Sequence, residues 1–242
     1  MAQYFNIDLP DKYQQIIQNM KIENNFDPFS DFHNPSWKSF EGNAYDIIYN
    51  SILKASKSNS NELAKKCAKI INKILQLCIN KLSKNMNIKK YHKLIWLRYR
   101  TESEKYDIPR WHIDGNYNIN NIQLNENINQ KKIIISISGP GTMVANCDKD
   151  NNKVIIEKLN ELSLKYPRYE NNELNIKNAK ELNDQISPYL KSCSIHKLDN
   201  FEGVIYNIGN VYNNKKNSCI HSEPKFNKSR LFLGLVLSEI KE

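Results

Sequence analysis

The chain has no run of eighteen or more apolar residues, so no membrane-spanning helix is expected. It has no CxxC pair either: its five cysteines, Cys67, Cys78, Cys147, Cys193 and Cys219, are odd in number and scattered. That spacing argues against a zinc finger or a disulfide framework and predicts reduced thiols in an intracellular, cytoplasmic protein. The opening stretch MAQYFNIDLPDKYQQ lacks a basic start and an apolar run, so no secretory signal is expected. Glycine is sparse, at seven residues, and arginine sparser still, at five of the 35 basic side chains. The formal charge of +9 would suit a nucleic acid or an anionic membrane. Because Lys, Asn and Ile are over-used together, the charge reads instead as AT-rich coding bias giving a solvated Lys-rich surface. Arginine retained where lysine is the default marks positions needing a planar fork or a permanent charge.

The first ninety residues read as helical. Short helices are predicted over Lys12–Ile22 and Ala44–Ala55. A long one is predicted over Ser60–Ser83, with Leu63, Cys67, Ile70, Ile71, Ile74, Leu77, Cys78 and Leu82 as its apolar stripe and Asn59 with Glu62 as its cap. Packing on a β-core is the expected role of that stripe. From His92 the texture changes to short apolar or β-branched runs, LIWLRYR at 94–100, KIIISIS at 132–138, GVIYNIG at 203–209 and RLFLGLVL at 230–237, which predict strands. Six of the seven glycines lie after residue 114, where such strands need turns. A polar stretch near 148–195 is too long for a turn and reads as an insertion with two helices, near VIIEKLNELSLKY and AKELNDQIS. The Asn-rich patches at 116–130 and 210–217 read as loops.

Two segments carry chemistry: PRWHIDG at 109–115 and CIHSEPKFNKSRLFLG at 219–234. His112 and Asp114 stand two apart, so in an extended chain an imidazole and a carboxylate project to one side. His221 follows on a short apolar strand. Two histidines and one carboxylate on one face form the facial triad of non-haem Fe(II) oxygenases, which leaves adjacent positions open. Arg230 lies nine residues after His221. If the two occupy antiparallel strands joined by EPKFNKS, the guanidinium returns beside the metal and clamps the far carboxylate of a dicarboxylate.

The pattern of HxD, a distant His and an Arg nine residues beyond resembles the 2-oxoglutarate/Fe(II) dioxygenases, including the prolyl-hydroxylase-like and AlkB-like branches. The resemblance covers residues 92–240 and implies an α+β fold: a double-stranded β-helix (jelly-roll) core in residues 91–242, with residues 1–90 packed on it as helices. It implies Fe(II) held by His112, Asp114 and His221, and 2-oxoglutarate held by Arg230 and by Tyr99 on LIWLRYR. It also implies hydroxylation, or oxidative demethylation, of a protein side chain or small molecule, with succinate and CO2 released. Two departures stand out. SGPGTMV at 138–144 replaces the Gly-Gly-x-Leu stretch of many hydroxylases, and Val236 stands where AlkB-like proteins carry a second Arg, which argues against a nucleic-acid-directed branch. A jelly-roll binding module that keeps the metal site without turnover is the other alternative.

Around these residues, Trp111 and Tyr117 are candidates for substrate contact or core. Arg100 and Arg110 are candidates for an acidic substrate group or for surface solvation, and Thr142 for the pocket wall. Glu223 is the alternative partner of Arg230, Cys219 reads as a small buried hydrophobe, and His33, His92 and His196 read as structural.

Overall fold

In the computed structural model the longest helix, α3 (Asn61–Met86), follows from its apolar spacing. Its buried stripe runs through Ala64, Cys67, Ile70, Ile71, Ile74, Leu75, Cys78, Ile79 and Leu82. Leu77, expected in the stripe, is exposed; Leu75 and Ile79 take its place. The cap is Ser60, whose hydroxyl accepts from Leu63 N at 3.1 Å, while the expected cap Asn59 exchanges two hydrogen bonds with the Lys21 backbone. The helix stops at Asn87, which takes the left-handed conformation and returns its N–H to Ser83 and Lys84 carbonyls. Two shorter helices, α1 (Asp11–Gln18) and α2 (Ala44–Ala55), pack with α3. The structure describes residues 2–32, 38–56, 58–102, 108–115, 117, 119, 129–170, 173–208, 218–224 and 228–240. His33, most of the two Asn-rich patches and the middle of the EPKFNKS loop lie outside them.

Each expected strand run forms. One antiparallel sheet has five strands in the order β1 (Gln3–Asn6), β9 (Glu202–Asn207), β4 (Gln130–Ser138), β11 (Arg230–Glu239) and β2 (Tyr91–Arg100). The segment read as helical therefore also supplies an edge strand, pairing Gln3 with Ile205. A second sheet has four strands in the order β3 (Arg110–His112), β10 (Ile220–Glu223), β5 (Met143–Asn146) and β8 (Ser194–Lys197).

Alternation divides each strand between two environments. In the five-stranded sheet Ile95, Leu97, Ile133, Ile135, Leu231, Leu233 and Leu235 face the helices and join their core. Their even-numbered neighbours Trp96, Arg98, Lys132, Ile134, Arg230 and Phe232 face the other way and line a cavity. Full burial of each such Ile or Leu is worth about 1.5–3 kcal/mol, which ties the helices firmly to the sheet. On the four-stranded sheet, Trp111, Ala145 and Ile220 pack against Ile155, Leu159, Leu182 and Ile186. These last four belong to the insertion helices α4 (Lys149–Lys165) and α5 (Ile176–Leu190), which flank a two-stranded ribbon of β6 (Tyr169–Glu170) and β7 (Glu173–Leu174). The insertion is thus a covering layer for the second sheet, with its ribbon left over.

The cysteine expectation is corrected in part. Cys67, Cys78 and Cys219 are free and buried, but Cys147 and Cys193 form a disulfide that closes the base of the insertion. The two lie 46 residues apart, beyond any spacing motif; the fold brings them together because β5 and β8 pair directly before and after it.

Candidate metal centre

His112 and His221 are direct partners across the β3–β10 pair, and their rings lie 4.2 Å apart between centroids. Asp114, just beyond the end of β3, turns back between them: its Oδ1 is 4.0 Å from His112 Nε2 and its Oδ2 is 3.3 Å from His221 Nε2. The three ligand atoms lie within 4.8 Å of one another, and this is a group that could hold a metal ion. Both rings are set for it. The carbonyl of Arg110 lies 2.8 Å from His112 Nδ1 and that of Cys219 lies 3.2 Å from His221 Nδ1. A carbonyl only accepts, so each Nδ1 carries the proton and each Nε2 presents its lone pair inward. Burial, then the neighbouring His221 and Arg168, pushes His112 down to about 3, so it is neutral at ordinary pH, and burial lowers His221 too. Burial would raise Asp114, but the Lys132 ammonium bonded to it outweighs burial and holds the carboxylate ionised. Two neutral imidazoles and one carboxylate are a donor set suited to Fe(II).

Lys132 and Tyr206 were not legible as site residues. Lys132 Nζ donates to Asp114 Oδ2 at 2.8 Å and to the Tyr117 hydroxyl at 3.2 Å, and Tyr206 donates to the same Oδ2 at 2.8 Å. Each sat in an apolar strand run, KIIISIS and GVIYNIG; only the alternation phase, in step with Ile134 and Val204, could have pointed them inward. Tyr117 donates to Asp114 Oδ1 at 3.2 Å, so this candidate orients the carboxylate.

Arg230 is fully buried and lines the same cavity as the triad, a space of about 270 Å³. Its route there differs from the expected one. β10 and β11 do not pair with each other but belong to different sheets, so Arg230 reaches across from the five-stranded sheet. Its Nη2 donates to Thr142 Oγ1 at 2.7 Å, and Phe232 lies under its guanidinium at 4.3 Å. Burial pushes Arg230 down to about 9, a desolvation cost that an anion in the cavity would relieve. Thr142 owes its position to the glycines before it. Gly139 has φ +83° and a Cβ there would stand 2.0 Å from the Ser229 carbonyl; one on Gly141 would stand 1.8 Å from that of Leu198.

The remaining candidates divide between corrections and agreements. Tyr99 lies on the helix side of β2, where its hydroxyl donates to the Ile22 carbonyl at 3.3 Å and its ring stacks on Phe26. Strand alternation puts Arg98, not Tyr99, on the cavity wall, where it pairs with Asp27 at 2.5 Å. Arg110 is buried, with Nε 3.6 Å from Glu223, and Glu223 also lies 3.8 Å from His112 Nδ1 while favouring the charge on Arg230. Arg100 donates to the Phe26 carbonyl at 3.4 Å. Trp111 is core, Cys219 is a buried hydrophobe, and His196 meets Glu202 at 2.8 Å. Val236 is packed in an apolar cluster with Leu94 and Trp96.

No protein-family model and no curated protein matches the sequence. Among solved structures, the chain is similar to the viral collagen prolyl hydroxylase of Paramecium Bursaria Chlorella virus-1, at 8% identity over 99% of this chain and 90% of that one, with a TM-score of 0.43. The 2-oxoglutarate complex of that hydroxylase matches at 8% identity over 99% and 96%, with a TM-score of 0.41. EvdO2 from Micromonospora carbonacea var. aurantiaca matches at 11% identity over 62% and 55%, with a TM-score of 0.28. The likenesses are faint, and the chemistry of the site rests on its own residues.

Proposed function

We propose that the chain is an Fe(II)- and 2-oxoglutarate-dependent oxygenase that hydroxylates, or oxidatively demethylates, a protein side chain or a small molecule. The observation that carries the reading is the convergence of His112, Asp114 and His221 on one point with the buried guanidinium of Arg230 across the same cavity. The strand orders β1-β9-β4-β11-β2 and β3-β10-β5-β8, two facing sheets enclosing a cavity, fit a double-stranded β-helix, or jelly roll.

His112 Nε2, His221 Nε2 and an Asp114 oxygen would hold the iron, and Arg230 with Thr142 would hold the far carboxylate of 2-oxoglutarate. When bound, iron and 2-oxoglutarate supply the oxidising chemistry, with succinate and CO2 as co-products. The chain's own residues orient and exclude water. Lys132, Tyr117 and Tyr206 fix the Asp114 carboxylate by hydrogen bonds, and the Arg110 and Cys219 carbonyls fix the imidazole rings. Trp96, Ile134 and Phe232 give the cavity an apolar wall that limits water beside the reacting atoms.

The test is anaerobic titration of Fe(II) into protein with 2-oxoglutarate, following the weak visible charge-transfer band of an iron–keto-acid chelate. We expect a band that His221→Ala removes and that needs more 2-oxoglutarate in Arg230→Ala. A folded protein that binds iron but shows no band would overturn the reading in favour of a metal-holding binding module.

A further inference from the structure

The triad borders a second space. A cleft of about 390 Å³ is lined by His112, Asp114 and Glu223 and by Arg168 and Tyr169 from the insertion. Arg168 is the one arginine that lay far from the HxD and His221 segments in sequence. The fold returns it to them: Arg168 Nη1 donates to the Arg110 carbonyl at 3.3 Å, the same carbonyl that accepts from His112 Nδ1. A guanidinium is thereby tethered one hydrogen bond from a ligand of the metal centre. Glu223, in the same cleft, has Arg110 at 3.6 Å and also feels the charge of Arg168, but among the described residues no carboxylate oxygen lies within ion-pair distance of the Arg168 guanidinium. Arg168 is half-buried and Tyr169 beside it is exposed, so the pair stands at the mouth of the cleft.

Resting on the oxygenase reading above, we infer that this outer cleft receives the primary substrate and that Arg168 selects one bearing a carboxylate. The planar fork of Arg suits a carboxylate by two parallel hydrogen bonds. The Tyr169 ring offers an apolar surface beside it. With 2-oxoglutarate in the inner cavity against Arg230, each of the two anions would have its own arginine.

Protein loaded anaerobically with Fe(II) and saturating 2-oxoglutarate, which fills the inner cavity, tests this. N-acetyl amino acids and acetylated tetrapeptides are titrated by calorimetry, each as free acid and as its amide. We expect at least one acid to bind about tenfold or more tightly than its amide. Arg168→Gln erases that preference and Arg168→Lys keeps part of it, while both leave 2-oxoglutarate affinity unchanged. A preference already present among single amino acids assigns a small acid; one confined to tetrapeptides assigns a peptide end. No preference for acid over amide in the native protein, or a preference surviving in Arg168→Gln, overturns the proposal. Loss of 2-oxoglutarate binding in the native protein sinks the oxygenase reading beneath it. Retained 2-oxoglutarate binding without acid selection sinks only the role of Arg168.

Discussion

At the scale of residues, the centre is a balance of buried charge. Asp114 is held by the ammonium of Lys132 at 2.8 Å, with both side chains almost wholly buried. Removing one partner of such a pair leaves the other charge uncompensated, a cost of about 3–5 kcal/mol. Lys132→Met should lower the unfolding free energy by that order in urea melts without metal. A divalent ion at the triad supplies the missing positive charge, so the deficit should narrow when Mn(II) is added; a deficit indifferent to metal would show that Lys132 does not serve as counter-ion to Asp114. Gly139 poses a different problem. Its φ of +83° and the Ser229 carbonyl, 2.0 Å from where a Cβ would stand, leave no room for a side chain. Gly139→Ala should cost at least about 1–3 kcal/mol and displace Thr142 from Arg230, read as weaker 2-oxoglutarate binding as well as a lower melting temperature.

At the scale of elements, two features separate what a strand pattern gives from what pairing gives. The runs at 94–100, 132–138 and 230–237 announced themselves by composition, and all three lie in one sheet. Their hydrophobic identity did not say which neighbour each takes. Arg230 and His221 are nine residues apart on strands of opposite sheets, a relation local spacing does not encode. The disulfide is similar. Closing a loop of 46 residues should contribute about 4 kcal/mol by restricting the unfolded chain. Thiol titration in denaturant should find three reactive cysteines before reduction and five after, and Cys147→Ser should melt earlier than the native chain. Five thiols in the unreduced protein would contradict the pairing. On α3, Ile71 and Ile74 are fully buried against the sheet, and Ile71→Ala should cost about 2–5 kcal/mol in the same melts.

At the scale of the molecule, each sheet has one face on the cavity and the other under helices: α1–α3 over the five-stranded sheet, α4 and α5 over the four-stranded one. A piece spanning residues 91–242 would expose Ile95, Leu97, Ile133, Leu233 and Leu235 and would lack β1. We expect such a piece to lose cooperative unfolding by circular dichroism; a cooperative melt would make the core an independent domain.

The sequence by itself determined the α3 stripe, the principal strand runs and the residue types of the site, because periodicity and local composition are properties of neighbours along the chain. It also placed His112 and Asp114 together, since two residues apart in an extended segment is a local relation. Only the tertiary structure decided that Tyr99 faces the helices while Lys132 and Tyr206 face the carboxylate, because the phase of a strand is chosen by which face finds an apolar partner. It decided likewise that Cys147 meets Cys193 and that Arg168 returns to His112, since those contacts depend on strands pairing across many tens of residues.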